Sequence, residues 1–468
     1  METANQKPPT WRGQRVAVLG FGREGQAMVN YILTKGAAVT ICDEKEDFRR
    51  DDVATTWRGR GIEWQLGPSY LKGLDKFEVI VRSPGVPLSL PELTKARQSG
   101  AVIWSLTKEF FHCCPAPIIG VTGTKGKGTT STLISEMLKF NKRRVHLVGN
   151  IGEPAIAVLP QIKKTDWVVY ELSSFQLQDL EESPHIAVIL GLSLDHQDYH
   201  KSPREYFLAK ANIIKHQTRT DAAIFNIDYP ETLGLMELTR AQVLATSRQV
   251  PIKQGAYVAG DIIFRRIGRK TEHVITRQEI ALKGEFNLEN VTAAIVAASL
   301  AGANLAAIRK ALKKFSGLPH RLEFIGTLEG VEYWNNSAGS TPETTIAAVQ
   351  SFHQPIILML GGLDRGLSYR ALGEEVINSP VKVIIGLGTT AAKMYEAIKK
   401  AAKLKNTKPP AYVSGGATMA EMVATARRFV KTGDVILLAP GAASFDKFKN
   451  YYDRGEQFRA AVLGDKKN

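Results

Sequence analysis

Cysteine is scarce in this chain: Cys42, Cys113 and Cys114 are all that 468 residues contain. Three thiols cannot build a disulfide scaffold, and none stands in a CxxC metal pattern, so all three are expected to be buried or bystander groups. Long apolar runs are also missing. No stretch approaches the roughly 20 residues of a membrane span, so none is expected. No basic segment followed by an apolar one opens the chain, which argues against a secretory signal and makes the cytoplasm the expected compartment. Short repeats and low-complexity tracts are absent. Acidic residues are in deficit, 46 against 61 Lys and Arg, for a formal net charge of +15. That balance favours anionic partners, such as nucleotides, UDP-sugars, phosphates or nucleic acid. The basic residues are spread along the chain. Their densest group, Arg265, Arg266, Arg269 and Lys270, falls in an expected hairpin with no interleaved aromatics, which reads as a solvated face. No nucleic-acid partner is expected.

What is present is an ordinary globular composition, 44% hydrophobic and 23% charged. The length exceeds what one core organises, so about two to four domains are expected. Apolar strand candidates alternate with helical segments throughout. Strands are expected at Arg15–Leu19, Ala37–Cys42 and Glu78–Val81, then at Ile118–Val121, Trp167–Tyr170, Ile186–Leu190 and Ala222–Asn226. Further strands are expected at Ile356–Leu360, Val381–Ile385 and Asp434–Leu438. The alternation predicts an α/β chain of mostly parallel, doubly wound sheets.

Two glycine-rich loops each lie between a strand and a helix. The first, Gly20-Phe21-Gly22-Arg23-Glu24-Gly25, is a GxGxxG, with Asp43 ending the next strand at the spacing of a ribose-binding carboxylate. Taken alone it fits a dinucleotide such as NAD or FAD, or a tight turn with no ligand. The second, Gly123-Thr124-Lys125-Gly126-Lys127-Gly128-Thr129, is a variant phosphate loop. Its backbone N–H groups would cradle phosphates, and Lys127 would reach the β- and γ-phosphates. Gly128 stands where a hydroxyl residue usually faces Mg²⁺, and Thr129 is the nearest replacement. Glu171 closes an apolar strand, a good place for a Mg²⁺-holding carboxylate. Asp195-His196 follows another strand; a lone histidine is more often structural. Lys210, within Phe207-Leu208-Ala209-Lys210-Ala211-Asn212, reads locally as a helix-surface lysine.

Together these residues resemble the Mur ligase family, and most closely its glutamate-adding members. The resemblance also runs through Gly149-Asn150-Ile151-Gly152, Glu171 to Leu177, Asn287 to Asn290 and Gly317-Leu318-Pro319-His320-Arg321. It ends in Pro440 to Tyr451, so it covers nearly the whole chain. It implies three α/β domains. A Rossmann-like UDP-binding domain would occupy 1–111, and a P-loop-type ATP-binding ligase domain 112–317. A Rossmann-like domain at 318–468 would close over ATP and bind the amino acid. It implies ATP-dependent, ADP-forming addition of D-glutamate to UDP-N-acetylmuramoyl-L-alanine through an acyl phosphate, in peptidoglycan precursor synthesis. L-glutamate addition is the alternative. A folylpolyglutamate-type ligase and a nucleotide-binding module without turnover are more distant ones. A monomer is expected.

The resemblance also assigns roles. Gly22, Arg23, Glu24, Asp43, Ser83, Pro84, Gly85, Asn150 and Gln176 would contact the UDP substrate. Residues Gly123 to Thr129, with Asn290, Arg321 and Asn336, would hold ATP, and Lys127 and Arg321 would spread charge on the transferred phosphoryl group. Thr129, Glu171, His196 and Lys210 would hold Mg²⁺, with Lys210 as a CO₂-derived carbamate. Arg365, Ser444 and Tyr451 would hold the incoming amino acid. The chain departs from the family pattern at Gly128, at Asn336 and Ala338 (usually acidic and lysine), and at Arg365 (usually lysine).

Overall fold

A computed structural model of the protein describes residues 6–46, 48, 57, 59–193 and 199–464. Among the described residues the strands form three sheets, and two compact units divide the chain: 1–277 with 289–312, and 278–288 with 313–468.

The first unit carries two sheets. In the first, β1 (Arg15–Leu19), β2 (Ala38–Asp43), β3 (Glu63–Leu66), β4 (Val79–Arg82) and β5 (Val102–Trp104) run in the order β3-β2-β1-β4-β5, all parallel. Chain order reverses between β1 and β4, so the turns after these two strands face the same crevice, where doubly wound sheets take ligands. Those turns are the GxGxxG and Ser83-Pro84-Gly85. The buried Val16–Leu19 run suits a strand covered on both faces.

The second sheet contains β6 (Ile118–Thr122), β7 (Val145–Gly149), β8 (Trp167–Glu171), β9 (Ile186–Ile189) and β10 (Ala222–Asn226). It continues through β11 (Gln242–Ser247), β12 (Gly255–Ala259), β13 (Ile262–Ile267) and β14 (Lys270–Thr276). The order is β14-β13-β12-β11-β10-β9-β6-β8-β7, parallel except for the β12-β13-β14 meander. The expected basic hairpin is the β13–β14 pair, whose turn holds Gly268 and Arg269. Strand β6 lies between β8 and β9, so the loops that leave these three strands converge. The carboxylate of buried Glu109 ties the amino-terminal arm to this unit. It accepts from Trp11 Nε1 at 3.0 Å, Trp104 Nε1 at 2.9 Å and the Tyr31 hydroxyl at 2.8 Å.

The second unit is built on β15 (Glu323–Leu328), β16 (Val331–Asn335), β17 (Ile356–Gly361), β18 (Val381–Leu387), β19 (Ala411–Ser414) and β20 (Val435–Leu438). Their order is β15-β16-β20-β17-β18-β19, with β15–β16 antiparallel and the rest parallel. Apolar clusters cover both faces, one around Leu358 and Leu437, the other around Met359 and Leu438. Among the described residues no helix is long and apolar enough to cross a membrane.

Candidate active site

The phosphate loop takes its shape from backbone constraints. It leaves β6 at Gly123, and Gly126 adopts φ +83° to cap the helix Lys127–Phe140. A left-handed residue there swings the first-turn N–H groups outward, where the helix dipole favours an anion. The helix begins at Lys127, so Lys127 and Gly128 belong to its first turn. A Cβ on Gly126 would meet Asn290 Oδ1 at 2.1 Å. The same oxygen accepts from Thr130 Oγ1 at 3.1 Å, so the Asn290 amide is fastened against the loop. Thr124 locks the loop's base: its N–H bonds Gly191 O at 3.0 Å, and its hydroxyl meets Ser193 O at 3.0 Å and the Tyr206 hydroxyl at 3.1 Å. Lys125 is exposed, whereas Lys127 folds back, donating from Nζ to Gly123 O at 3.0 Å and Thr124 O at 3.1 Å.

Lys210 is not a surface lysine. It lies on the helix Pro203–Lys215 with 1% of its surface exposed. Its Nζ donates to Gly123 O at 3.0 Å and Thr122 Oγ1 at 3.3 Å, over the Tyr206 ring. The amine therefore sits at the underside of the phosphate loop. Glu171 is buried at the end of β8, in register with Val121 of β6. Thr129 is buried on the third residue of the loop's helix. Asp195 and His196 lie outside the described residues. Among the described residues no group of three or more His, Cys, Asp or Glu side chains could hold a metal.

The first glycine loop is close-packed. Gly20 has φ +88°, and a Cβ on Gly25 would meet Gly20 O at 2.0 Å. The Asp43 carboxylate accepts from Phe21 N at 2.7 Å and Lys45 N at 2.9 Å, which fixes the loop against the end of β2. Ser83 Oγ donates to Gly20 O at 3.1 Å and joins the loop to the β4 turn. Gly22, Arg23 and Gly85 are exposed, and the Arg23 guanidinium bonds Gly152 O. Glu24 meets Gln176, whose Nε2 donates to its Oε1 at 2.8 Å. Burial raises the Glu24 pKa above the ordinary carboxyl value, against the opposing pull of Gln176, Arg23 and Arg82. Gln176 is itself buried and completes a capping box with Ser173, while Asn150 is exposed after β7.

In the second unit, Arg321 is exposed on a turn whose flanking residues have positive φ, +62° at His320 and +47° at Leu322. Asn336 steadies this turn: its Oδ1 accepts from Leu322 N at 3.1 Å and its Nδ2 donates to Thr344 O at 3.3 Å. Arg365, Ser444 and Tyr451 follow the carboxyl ends of the neighbouring strands β17 and β20. Leu363 N donates to Ala443 O at 2.9 Å, which brings the exposed Arg365 loop beside buried Ser444. Sequence reasoning did not identify Arg454. Fully buried, it donates to Ser337 O at 2.8 Å, Ser337 Oγ at 3.0 Å and Ala442 O at 3.2 Å, holding the segment before Ser444. Burial pulls its pKa down to about 10, against the attraction of Asp446.

A glycine turn with a left-handed cap, a helix N-terminus, a lysine in its first turn and a strand-end carboxylate define a mononucleotide-binding α/β unit with a phosphate loop. The Mur ligase middle-domain model matches residues 121–298, and the Mur ligase MurD-like N-terminal-domain model matches 14–105. The chain belongs to the Mur ligase family. It is 36% identical over 451 residues to a UDP-N-acetylmuramoylalanine–D-glutamate ligase of Acetivibrio thermocellus, covering 96% of each chain. With the ligase of the same name from Symbiobacterium thermophilum it shares 37% over 452 residues, covering 96% of this chain and 98% of that one. Among solved structures, the UDP-N-acetylmuramate–alanine ligase of Thermotoga maritima shares the fold at TM-score 0.58 and 16% identity, covering 95% of this chain and 98% of that one. A pseudomurein peptide ligase of Methanothermus fervidus does so at TM-score 0.55 and 18% identity, covering 96% and 99%.

Proposed function

We propose that the protein joins D-glutamate to UDP-N-acetylmuramoyl-L-alanine, forming an amide bond at the expense of ATP, which becomes ADP and phosphate. The observation that carries this reading is the end-to-end likeness to D-glutamate ligases, 36% over 96% of both chains. The geometry supports it. A carboxylate is a poor acyl donor, and the phosphate loop is built to hold the nucleotide that activates it.

A carboxylate oxygen of the alanyl group attacks the γ-phosphorus, and the bond to ADP breaks. The amine of glutamate then attacks the resulting acyl phosphate. The C–O bond to phosphate breaks, and the amine loses a proton. First-turn N–H groups of the helix Lys127–Phe140 and the Lys127 ammonium stabilise charge on the transferred phosphoryl group, and Arg321 is assigned the same task. The Asn290 amide, held by Thr130, is assigned to the adenine side. Gly22, Arg23, Glu24, Asp43, Ser83, Pro84, Gly85, Asn150 and Gln176 remain the proposed surroundings of the sugar nucleotide, with Glu24 and Gln176 engaging each other. Arg365, Ser444 and Tyr451 remain the proposed amino-acid contacts, and Asn336 remains assigned to the nucleotide side.

The oxygen donors of Glu171 and Thr129, buried beside the phosphate loop, are of the hard type that suits Mg²⁺. A bound Mg²⁺ would offset the charge of the phosphates. An unmodified Lys210 ammonium would oppose a cation there, whereas a carbamate on its Nζ would present an anion. The buried amine of Lys210, held under Gly123, is therefore the proposed site of carbamylation. The protein should be incubated with both substrates, ATP and Mg²⁺, with the carboxylate of the UDP substrate labelled with ¹⁸O. The proposal predicts a product with the mass of both substrates less one water, and ¹⁸O in the released phosphate. Absence of the ligated product contradicts it.

A further inference from the structure

Arg82, the last residue of β4, is large, charged and fully buried, yet none of the roles above uses it. Its Nη1 donates to Val86 O at 2.8 Å, Pro84 O at 3.1 Å and Ser83 O at 3.4 Å. Its Nη2 donates to Phe175 O at 3.2 Å and pairs with buried Asp179 at 3.2 Å. The Tyr199 hydroxyl stands against the same Pro84 and Val86 carbonyls, at 3.2 and 3.3 Å. One guanidinium thus gathers three carbonyls of the β4 turn and fastens them to the segment that follows Glu171.

The turn reads Ser83-Pro84-Gly85-Val86-Pro87. In a planar trans peptide the N–H points opposite to the C=O. The three gathered carbonyls therefore aim the groups on the far side of their peptides away from Arg82. Two of those peptides end in proline and have no N–H. The third, Pro84–Gly85, presents the Gly85 N–H outward, at an exposed residue with open space where a Cβ would stand. The neighbouring Val86 N–H is already taken by Ser83 O at 3.0 Å. The turn therefore offers one outward donor, and Arg82 sets its direction.

We propose that Arg82 is a positioning residue for the sugar nucleotide: it turns the Gly85 N–H toward the diphosphate and anchors that turn to Phe175 and Asp179. The proposal rests on the reading of Ser83-Pro84-Gly85 as a UDP contact. Asp179 holds the guanidinium in place, and lysine, a single point donor, cannot gather three carbonyls while keeping Phe175 and Asp179.

The test is calorimetric binding of UDP to the full chain, with KM values for the UDP substrate and for ATP. It compares wild type, Arg82→Lys, Arg82→Met and Asp179→Asn, each first checked for a cooperative thermal transition. UDP binding is expected to weaken tenfold or more in Arg82→Lys, and in the same direction but less in Asp179→Asn. The KM for the UDP substrate should rise in parallel, and the KM for ATP should stay within twofold. A folded Arg82→Lys that binds UDP like wild type overturns the proposal. So does an equal rise in both KM values, which is the mark of general loosening. If Arg82→Met fails to fold, Arg82→Lys and Asp179→Asn decide. Wild type that fails to bind UDP overturns the reading of the turn itself, and the proposal with it.

Discussion

Replacing Gly126 by alanine should damage ATP use through a side chain far away in sequence. At φ +83° an L-residue is strained, which costs about 1–2 kcal/mol. The new Cβ would lie 2.1 Å from Asn290 Oδ1, too close for any contact, so Asn290 must move. Moving it breaks the Thr130 hydrogen bond, worth about 1 kcal/mol. The sum is about 2–3 kcal/mol of destabilisation, together with a misplaced amide on the adenine side. Thermal melting should therefore fall by several degrees, and the KM for ATP should rise about tenfold. The rise should be non-additive with that of Asn290→Ala, because both act through one amide. Wild-type melting and an unchanged KM for ATP in Gly126→Ala would show that the loop tolerates a side chain at residue 126. Additive effects in the double variant would refute the route through Asn290.

Other consequences are open to measurement. Lys210→Ala should lower kcat about 100-fold or more, and short carboxylates such as acetate should restore part of it; full activity without them would remove Lys210 from the mechanism. Glu109→Ala would leave the indole donors of Trp11 and Trp104 and the Tyr31 hydroxyl without their acceptor, at about 3–5 kcal/mol in all; denaturant melts that match wild type would contradict this. His320 should make the second unit less stable in mild acid. Burial lowers its pKa below the ordinary histidine value, against Glu323 and Glu456 and assisted by Arg459. A base depressed in the fold takes its proton first in the unfolded chain. Its stabilising share is therefore complete above about pH 6.5 and is lost as pH falls toward the folded value. Protonation at Nδ1 would also set a donor against Asn335 Nδ2, 2.9 Å away. His320→Asn should flatten the slope of stability between pH 7.5 and 5.5, and an unchanged slope would rule out His320 as its source.

Much of this was legible in the residues. The β1 and β10 strands fall where apolar runs between turn signals place them, and the phosphate loop lies between a strand and a helix as its glycines demand. The strands β11–β14 were harder to see as a sheet edge, because they mix charged and apolar residues and only the hairpin turn is conspicuous. Lys210 shows how local reading fails: the residues around it look like an ordinary exposed helix face, and only tertiary packing puts its amine under Gly123. The capping box between Ser173 and Gln176 could have been anticipated, since Ser173-x-x-Gln176 is its signature. Arg82 and Arg454 carry no local signal. An arginine at a strand end, like Arg82, or in a helix, like Arg454, reads as surface until the carbonyls around it are known.

D-glutamate is the proposed second substrate of an ATP-driven ligation. Phosphate release from ATP and Mg²⁺ with UDP-N-acetylmuramoyl-L-alanine, measured with D-glutamate, with L-glutamate and with no amino acid, tests it most directly. Rapid release is expected with D-glutamate and little with the other two. Release driven by L-glutamate in preference to D-glutamate, or no release with either, would contradict it.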